Sequence, residues 1–273
     1  MMKPSARLPV LLVALLVQVP VLAAEPAKAP AADSKAATGA SREELVAYLA
    51  RIDKRMTFTS DYKGTVRIMG LSKQNSETAV EIHVYRRDKT RDLLFMTTKP
   101  KYMAGSGYLR VGNNLWEYEP TVGQWTRSTM RANISGTFTC EADFERSRLA
   151  EAYEPKDEGT EVVDGVTYRK LFLTGKPGTE VSFPLLRLWV DPDLNIVKRI
   201  GYAPSGKPLR TDIVRGYQRI KDPLTNEFVY HYKEVMEEEA EEGSRVLVRY
   251  DEVVLAPLDP SIFTKSWLES RSR

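Results

Sequence analysis

The spacing of apolar residues changes twice along the chain. Leu8 to Leu22 is a continuous apolar run broken only by Pro9, Gln18 and Pro20, and it is followed by EPAKAPAADSKAATGA, which has no apolar residue larger than alanine. Leu45, Tyr48, Leu49, Ile52 and Met56 then recur at helical spacing behind Ser41-Arg42-Glu43-Glu44, a capping box, which predicts one amphipathic helix over about Arg42 to Arg55. After it the period falls to two. Tyr62 to Met69, Ala79 to Tyr85, Arg91 to Thr97, Tyr108 to Val111, Leu115 to Glu119 and Gln124 to Arg127 form a first group of predicted strands. Val166 to Thr174, Leu185 to Val190, Ile196 to Tyr202, Leu209 to Ile220, Phe228 to Glu237 and Val246 to Leu255 form a second.

Short connections rich in turn formers, such as RRDK, EPTVG and Asp164-Gly165, join neighbours within each group and suit an antiparallel meander. Between the groups lies the one long interruption, Ser128 to Glu158, where TMRANISGT reads as loop and CEADFERSRLAEAY as a short helix. The fold class is therefore mainly β, with about 11–12 strands in one sheet that must curl, close or split. No internal repeat suggests a propeller or solenoid.

Side chains alternate along a strand, so Trp116 and Tyr118 share one side while Leu115, Glu117 and Glu119 share the other. Val80, Ile82 and Val84 divide in the same way from Glu81, His83 and Tyr85, and Val66 and Ile68 from Thr65 and Arg67. Two short helices cover only part of so wide an apolar face. Either the sheet closes on itself or part of the face lines a cavity.

The basic start, Lys3 and Arg7, ahead of an apolar run shorter than the ~20 residues of a spanning helix, and the small residues at Ala23-Ala24, read as an export signal over 1–24. Residues 25–40 read as a disordered linker, and 41–270 as a single folded domain. Lys3 and Arg7 are the only charges before Glu25, and the remainder of the chain is close to neutral, which argues against a nucleic-acid partner. Cys140 is the single cysteine, so no internal disulfide forms, and no cysteine ends the signal to carry a lipid anchor. An exported, soluble, periplasmic product is expected.

The stretch YKGTVRIMG, followed by RDLLFMTTKPKYMAGSGYLRVGNNLWEYEPTVGQWTRSTM, resembles the LolA-like family of periplasmic carriers that sort outer-membrane lipoproteins. Pro100, Gly105, Leu109, Trp116, Tyr118, Pro120 and Arg127 occupy the places of that family's pattern. LWVDPDLNIVKRIGYAPSGKPLRTDIVRGYQRI and IFTKSWLE resemble its later segments, and the likeness spans about Tyr48 to Leu268, departing at Gly136-Thr137-Phe138-Thr139-Cys140. The resemblance implies an unclosed antiparallel β-barrel with an N-terminal helix and a central helical lid around a cavity for acyl chains. The lining it implies is Val66, Ile68, Ile82, Val84, Leu109, Val111, Trp116, Tyr118, Trp125, Leu171 and Leu188. Leu45, Leu49, Ile52, Met56, Phe144 and Leu149 would form the lid. It further implies a carrier, active as a monomer, that moves a lipoprotein or lipid from an inner-membrane exporter of the ABC or RND type to an outer-membrane acceptor. A lipid-sensing regulatory module on the same fold is the alternative.

Enzymatic chemistry finds little support. His83 and His231 are far from each other and from Cys140 in sequence, no Cys/His spacing matches a metal framework, and Gly105-Ser106-Gly107 is too short for a phosphate-binding loop. No catalytic residue, metal or cofactor is expected. The acidic run Glu237 to Glu242 reads as the solvated tip of a hairpin.

Overall fold

Alternating runs joined by tight turns do form a single antiparallel sheet. The computed structural model describes residues 40–71, 77–128, 134, 137 and 139–272. The predicted signal, the linker up to Gly39 and most of the 129–138 loop lie outside the described residues. Those described belong to one unit, Thr38–Arg273.

Helix α1 (Arg42–Met56) opens the domain with the expected capping box: the Glu44 N–H donates to Ser41 Oγ at 3.2 Å and the Ser41 N–H to Glu44 Oε2 at 2.7 Å. The first strands are β1 (Tyr62–Leu71), β2 (Glu77–Arg87), β3 (Asp92–Lys99), β4 (Gly107–Val111), β5 (Asn114–Glu119) and β6 (Gln124–Ser128). The second set is β7 (Tyr153–Val163), β8 (Val166–Gly175), β9 (Leu185–Val190), β10 (Ile196–Tyr202), β11 (Pro208–Lys221), β12 (Phe228–Glu239) and β13 (Arg245–Leu255). Every neighbour pairs antiparallel, in the order β6-β5-β4-β3-β2-β1-β13-β12-β11-β10-β9-β8-β7. The two meanders meet where β1 pairs β13, with Val66 opposite Tyr250 and Ile68 opposite Val248. Strands β6 and β7 are the free edges, so the sheet stays unclosed.

Three elements differ from the sequence reading. Strand β7 makes thirteen strands; Pro155, Gly159 and a run of charges weaken its β signal, and it lies at an edge with a bulge between Asp157 and Thr160. The central helix is reduced to a 3-10 turn, Glu141–Phe144, and a single helical turn α2, Leu149–Ala152. A third helix, α3 (Lys265–Arg271), follows β13, with Thr264 Oγ1 accepting from the Trp267 N–H at 3.2 Å.

Candidate functional site

The apolar residues divide into three clusters, and the division decides what the sheet can hold. The inner face of β1–β3, β12 and β13 gathers Val66, Ile68, Val80, Ile82, Val84, Leu93 and Phe95 with Val235, Val246 and Val248. Phe58, Ile134 and Phe144 cover this wall. Along β8–β10 the wall continues as Leu171, Leu173, Leu186, Leu188, Val190 and Ile196, covered by Leu45, Leu49 and Ile52 of α1 and by Leu149 of α2. Tyr85, Leu94, Leu109 and Tyr118 form the third cluster, under Phe263 and Leu268.

This third cluster lies on the opposite side of the sheet, because Leu94 falls between Leu93 and Phe95, and Leu109 follows Tyr108, on strands whose side chains alternate. The expected lining is therefore not one surface. Val66, Ile68, Ile82, Val84, Leu171 and Leu188 face inward, whereas Leu109, Tyr118 and Trp125 pack outward beneath α3. Trp116 and Val111 share that outer side, Trp116 as the cross-strand partner of Leu109 and Val111 two residues beyond it. The Tyr118 and Trp125 rings pack tilted at 4.8 Å, Trp125 Nε1–H donates to Glu269 Oε1 at 2.6 Å, and Lys265 Nζ sits 4.8 Å over the Trp116 ring. The tryptophans anchor the C-terminal helix. Both faces of this half-sheet are covered, as the unbroken apolar run Leu93 to Met96 of β3 reflects.

Phe144 is the residue that fills the inner wall from the central segment. Its ring meets Phe95 edge-on at 5.0 Å and Tyr250 at 5.9 Å, and it is only 4% exposed. The hollow left beside it, among Met56, Tyr62, Val84, His231 and Tyr250, measures about 30 Å³, the room of one water molecule. A second hollow of about 130 Å³ lies between Met56, Phe183 and Leu186 on one side and the charged Asp143, Arg148 and Arg199 on the other. With the segment in place, the inner wall is satisfied by the protein's own side chains.

Polar contacts rather than continuous secondary structure hold this segment down. Arg86 Nη1 donates to the Phe144 carbonyl at 2.6 Å, and Arg110 pairs with Glu141 at 2.9 Å and with Glu145. From α1, Asp53 caps α2: it accepts the Leu149 and Ala150 N–H groups at 3.0 and 2.9 Å and the Ser147 hydroxyl at 2.5 Å. Sequence reading passed over Asp53, which lies on a helix interior, because a cap for a turn almost 100 residues away leaves no local pattern.

The firmest tie is a buried ionic cluster. Arg210 on β11 grips Asp143 with both terminal nitrogens, one at 2.9 Å; its Nε lies 2.9 Å from Asp212 and its Nη1 3.6 Å from Glu237. Arg199 pairs with Asp212 and lies 3.5 Å from Asp143. Burial opposes ionisation of Asp143, but Arg210 and Arg199 prevail and hold its carboxyl well below the usual carboxylate range. Glu237 is the odd carboxylate. Burial first, then Asp143 and Asp212, push it up to about 8 against the pull of Arg210 and of the Thr139 hydroxyl, which donates to it at 2.8 Å. The acidic run is thus not wholly a solvated tip. Glu237 is 2% exposed because it shares the inward side of β12 with Val235, whereas Glu238 turns outward to Arg245.

The reactive-looking groups do not assemble. Cys140 Sγ meets Asp143 Oδ2 at 3.5 Å, and burial, with Asp143 second, pushes the thiol up to about 12, the wrong direction for a nucleophile. His231 stacks on Tyr62 and meets Tyr250 edge-on, its Nδ1 2.7 Å from the Tyr232 carbonyl, and burial lowers it to about 4. Among the described residues no group of three or more His, Cys, Asp and Glu side chains could hold a metal, and no helix is long and apolar enough to cross a membrane.

A family model described as "Uncharacterized protein" matches residues 89–270, from the β2–β3 turn into α3. The chain belongs to that family. No curated protein sequence matches it. In structure, a LolA superfamily protein from Nitrosomonas europaea is similar at 23% identity and a TM-score of 0.68, over 84% of this chain and 100% of that one. A DUF1329 family protein from Desulfovibrio piger is similar at 18% identity and a TM-score of 0.71, over 83% and 98%. A domain from Vibrio parahaemolyticus described as an outer membrane lipoprotein-sorting protein is similar at 14% identity and a TM-score of 0.70, over 84% and 100%. The fold is LolA-like, as the resemblance in the sequence implied.

Proposed function

We propose that the protein binds acyl chains on its inner apolar wall and carries a lipoprotein or lipid through the periplasm, from an inner-membrane exporter to an outer-membrane acceptor, without enzymatic chemistry. One observation supports this most. The wall is covered by a short segment, 139–152, that has little regular structure of its own and is held by ionic and hydrogen-bonded ties. A core meant to stay shut is more simply closed with continuous packing.

Burying an acyl chain is worth ~0.8 kcal/mol per methylene, so a lipid anchor leaves a membrane only for an equivalent apolar surface. The inner wall offers that surface once Phe144 withdraws. Because Phe144 and the chain compete for one place, net affinity stays moderate and cargo can be handed on. The 30 and 130 Å³ hollows are too small for a long chain, so loading requires this exchange.

Native mass spectrometry of the protein recovered from its own cells tests the reading. Copurified lipid or acylated peptide at fixed stoichiometry is expected. A protein free of lipid that is bound to a signalling partner would replace the carrier with a sensor.

A further inference from the structure

The buried ionic cluster is divided between the 139–152 segment and the wall beneath it. Asp143 lies on the 3-10 turn, whereas Arg199, Arg210, Asp212 and Glu237 belong to β10, β11 and β12. Both terminal nitrogens of Arg210 donate to Asp143, and its Nε lies 2.9 Å from Asp212, which also pairs with Arg199. Two guanidinium groups are thus balanced by two carboxylates, Asp143 and Asp212. Glu237 is a third carboxyl in the same place. It is the cross-strand partner of Asp212, buried, and 3.6 Å from Arg210 Nη1, past hydrogen-bond length.

The groups facing Glu237 account for its being neutral while the segment is in place. Arg210 and Asp212 reach it from β11, Val246 and the Tyr250 phenol from β13, and Asp143 and the Thr139 hydroxyl, which donates to it at 2.8 Å, from the segment. Cys140, beside Asp143, stays protonated. Ionising Glu237 here would leave the buried site with one negative charge in excess, close to Asp143 and Asp212. Withdrawal of the segment, which acyl loading requires, reverses the count. Asp143 and Thr139 leave together, and Arg199 and Arg210 then face Asp212 alone, with one buried positive charge uncompensated. Glu237 stays on the wall, 3.6 Å from the same Arg210 nitrogen that donates to Asp143 at 2.9 Å.

We propose that acyl loading is coupled to the loss of one proton, with Glu237 ionising as the segment leaves and taking the place of Asp143 on Arg210. The carboxyl O–H breaks, its proton passes to solvent through the opened wall, and the cluster is neutral before and after. The coupling rests on the acyl-binding reading and adds to it the ion that controls opening. The empty form holds a proton that the loaded form lacks, so loading strengthens as pH rises toward about 8, where the empty form gives up that proton itself. The gain is up to about tenfold in affinity per pH unit.

The test is calorimetric titration of the full chain with dodecylphosphocholine below its micelle concentration, at about pH 6.5 and about pH 7.5, where its headgroup does not titrate. Repeating each titration in two buffers of different ionisation enthalpy counts the protons. The parent is expected to release about one proton per chain bound and to bind about tenfold tighter at the higher pH. Glu237→Gln should release none, bind equally at both pH values, and bind more weakly than the parent at the higher one, because glutamine cannot replace the charge of Asp143. Asp143→Asn should also release none yet bind more tightly than the parent, since Glu237 is then ionised in the empty form as well. A carboxyl that served packing alone would not move the two variants in opposite directions. Binding by the parent with no proton released, or release that survives in either variant, overturns the coupling and leaves acyl binding standing. Absence of binding by the parent at both pH values overturns the acyl reading and the coupling together.

Discussion

Replacing Phe144 with alanine separates a displaceable plug from an ordinary core residue. The ring is 4% exposed and packed against Phe95 and Tyr250. Truncating such a phenylalanine costs about 3–5 kcal/mol, which a domain of ordinary stability survives. If loading expels Phe144, that cost falls on the empty form alone. The loaded form, which has already given up the contact, is unaffected, and the difference appears as tighter binding. At about 1.4 kcal/mol per tenfold, even the lower figure strengthens acyl binding by about a hundredfold.

Phe144→Leu keeps most of the volume and should shift affinity by less than tenfold. Thermal unfolding and titration with a fluorescent fatty acid read the two effects. Hydrogen exchange over 139–152 distinguishes displacement from simple occupancy of an engineered hole, since only displacement makes the segment lose protection on loading. A destabilised Phe144→Ala variant with unchanged or weaker uptake would show that the ring is core and that the wall does not open at this point.

Three further outcomes follow from the same contacts. Glu237 keeps its proton to about pH 8 when folded against an ordinary 4.5, so its contribution is fully present below pH 4.5 and drains away as pH rises toward 8, at up to about 1.4 kcal/mol per unit. Denaturation of Glu237→Gln should therefore show a flatter fall in stability between pH 4.5 and 8 than the parent, and parallel curves over that range would refute the buried protonated carboxyl. Asp53→Ala removes the cap of α2 and should cost about 1–2 kcal/mol while speeding amide exchange at Leu149 and Ala150; exchange left unaltered there would sink the proposed tie between α1 and the plug. Trp125→Ala should lower the melting temperature by loosening α3, at about 2–4 kcal/mol, and leave fatty-acid uptake unchanged, whereas lost uptake would return the aromatic hairpin to the binding surface.

What could be read from the chain follows from which signals are local. The capping box at Ser41, the alternation in Val80 to Tyr85 and the turn residues carry their structure within a few positions, and α1 and twelve strands emerged from them. Strand β7 did not, since an edge strand is held by its partner β8 while its composition is chosen to discourage further pairing. Helix α3 is too short for a period to show. The aromatic hairpin lies on the other face from Val66 and Ile82, which alternation could not tell, since it shows which residues of one strand share a face and not how α3 covers Tyr118 and Leu109. Glu237 and Asp53 act through partners nearly 100 residues away, Thr139 and Leu149, and no window of sequence contains both ends.

The central claim is that hydrocarbon enters on the inner wall by displacing the 139–152 segment. A fatty acid bearing a photoactivatable diazirine in its chain, crosslinked to the protein and mapped by peptide mass spectrometry, tests it most directly. Adducts on Val66, Ile82, Val84 and Phe95 are the expected result. Adducts confined to the outer cluster around Trp116, Trp125 and Trp267, or none above a non-acylated diazirine control, would contradict it.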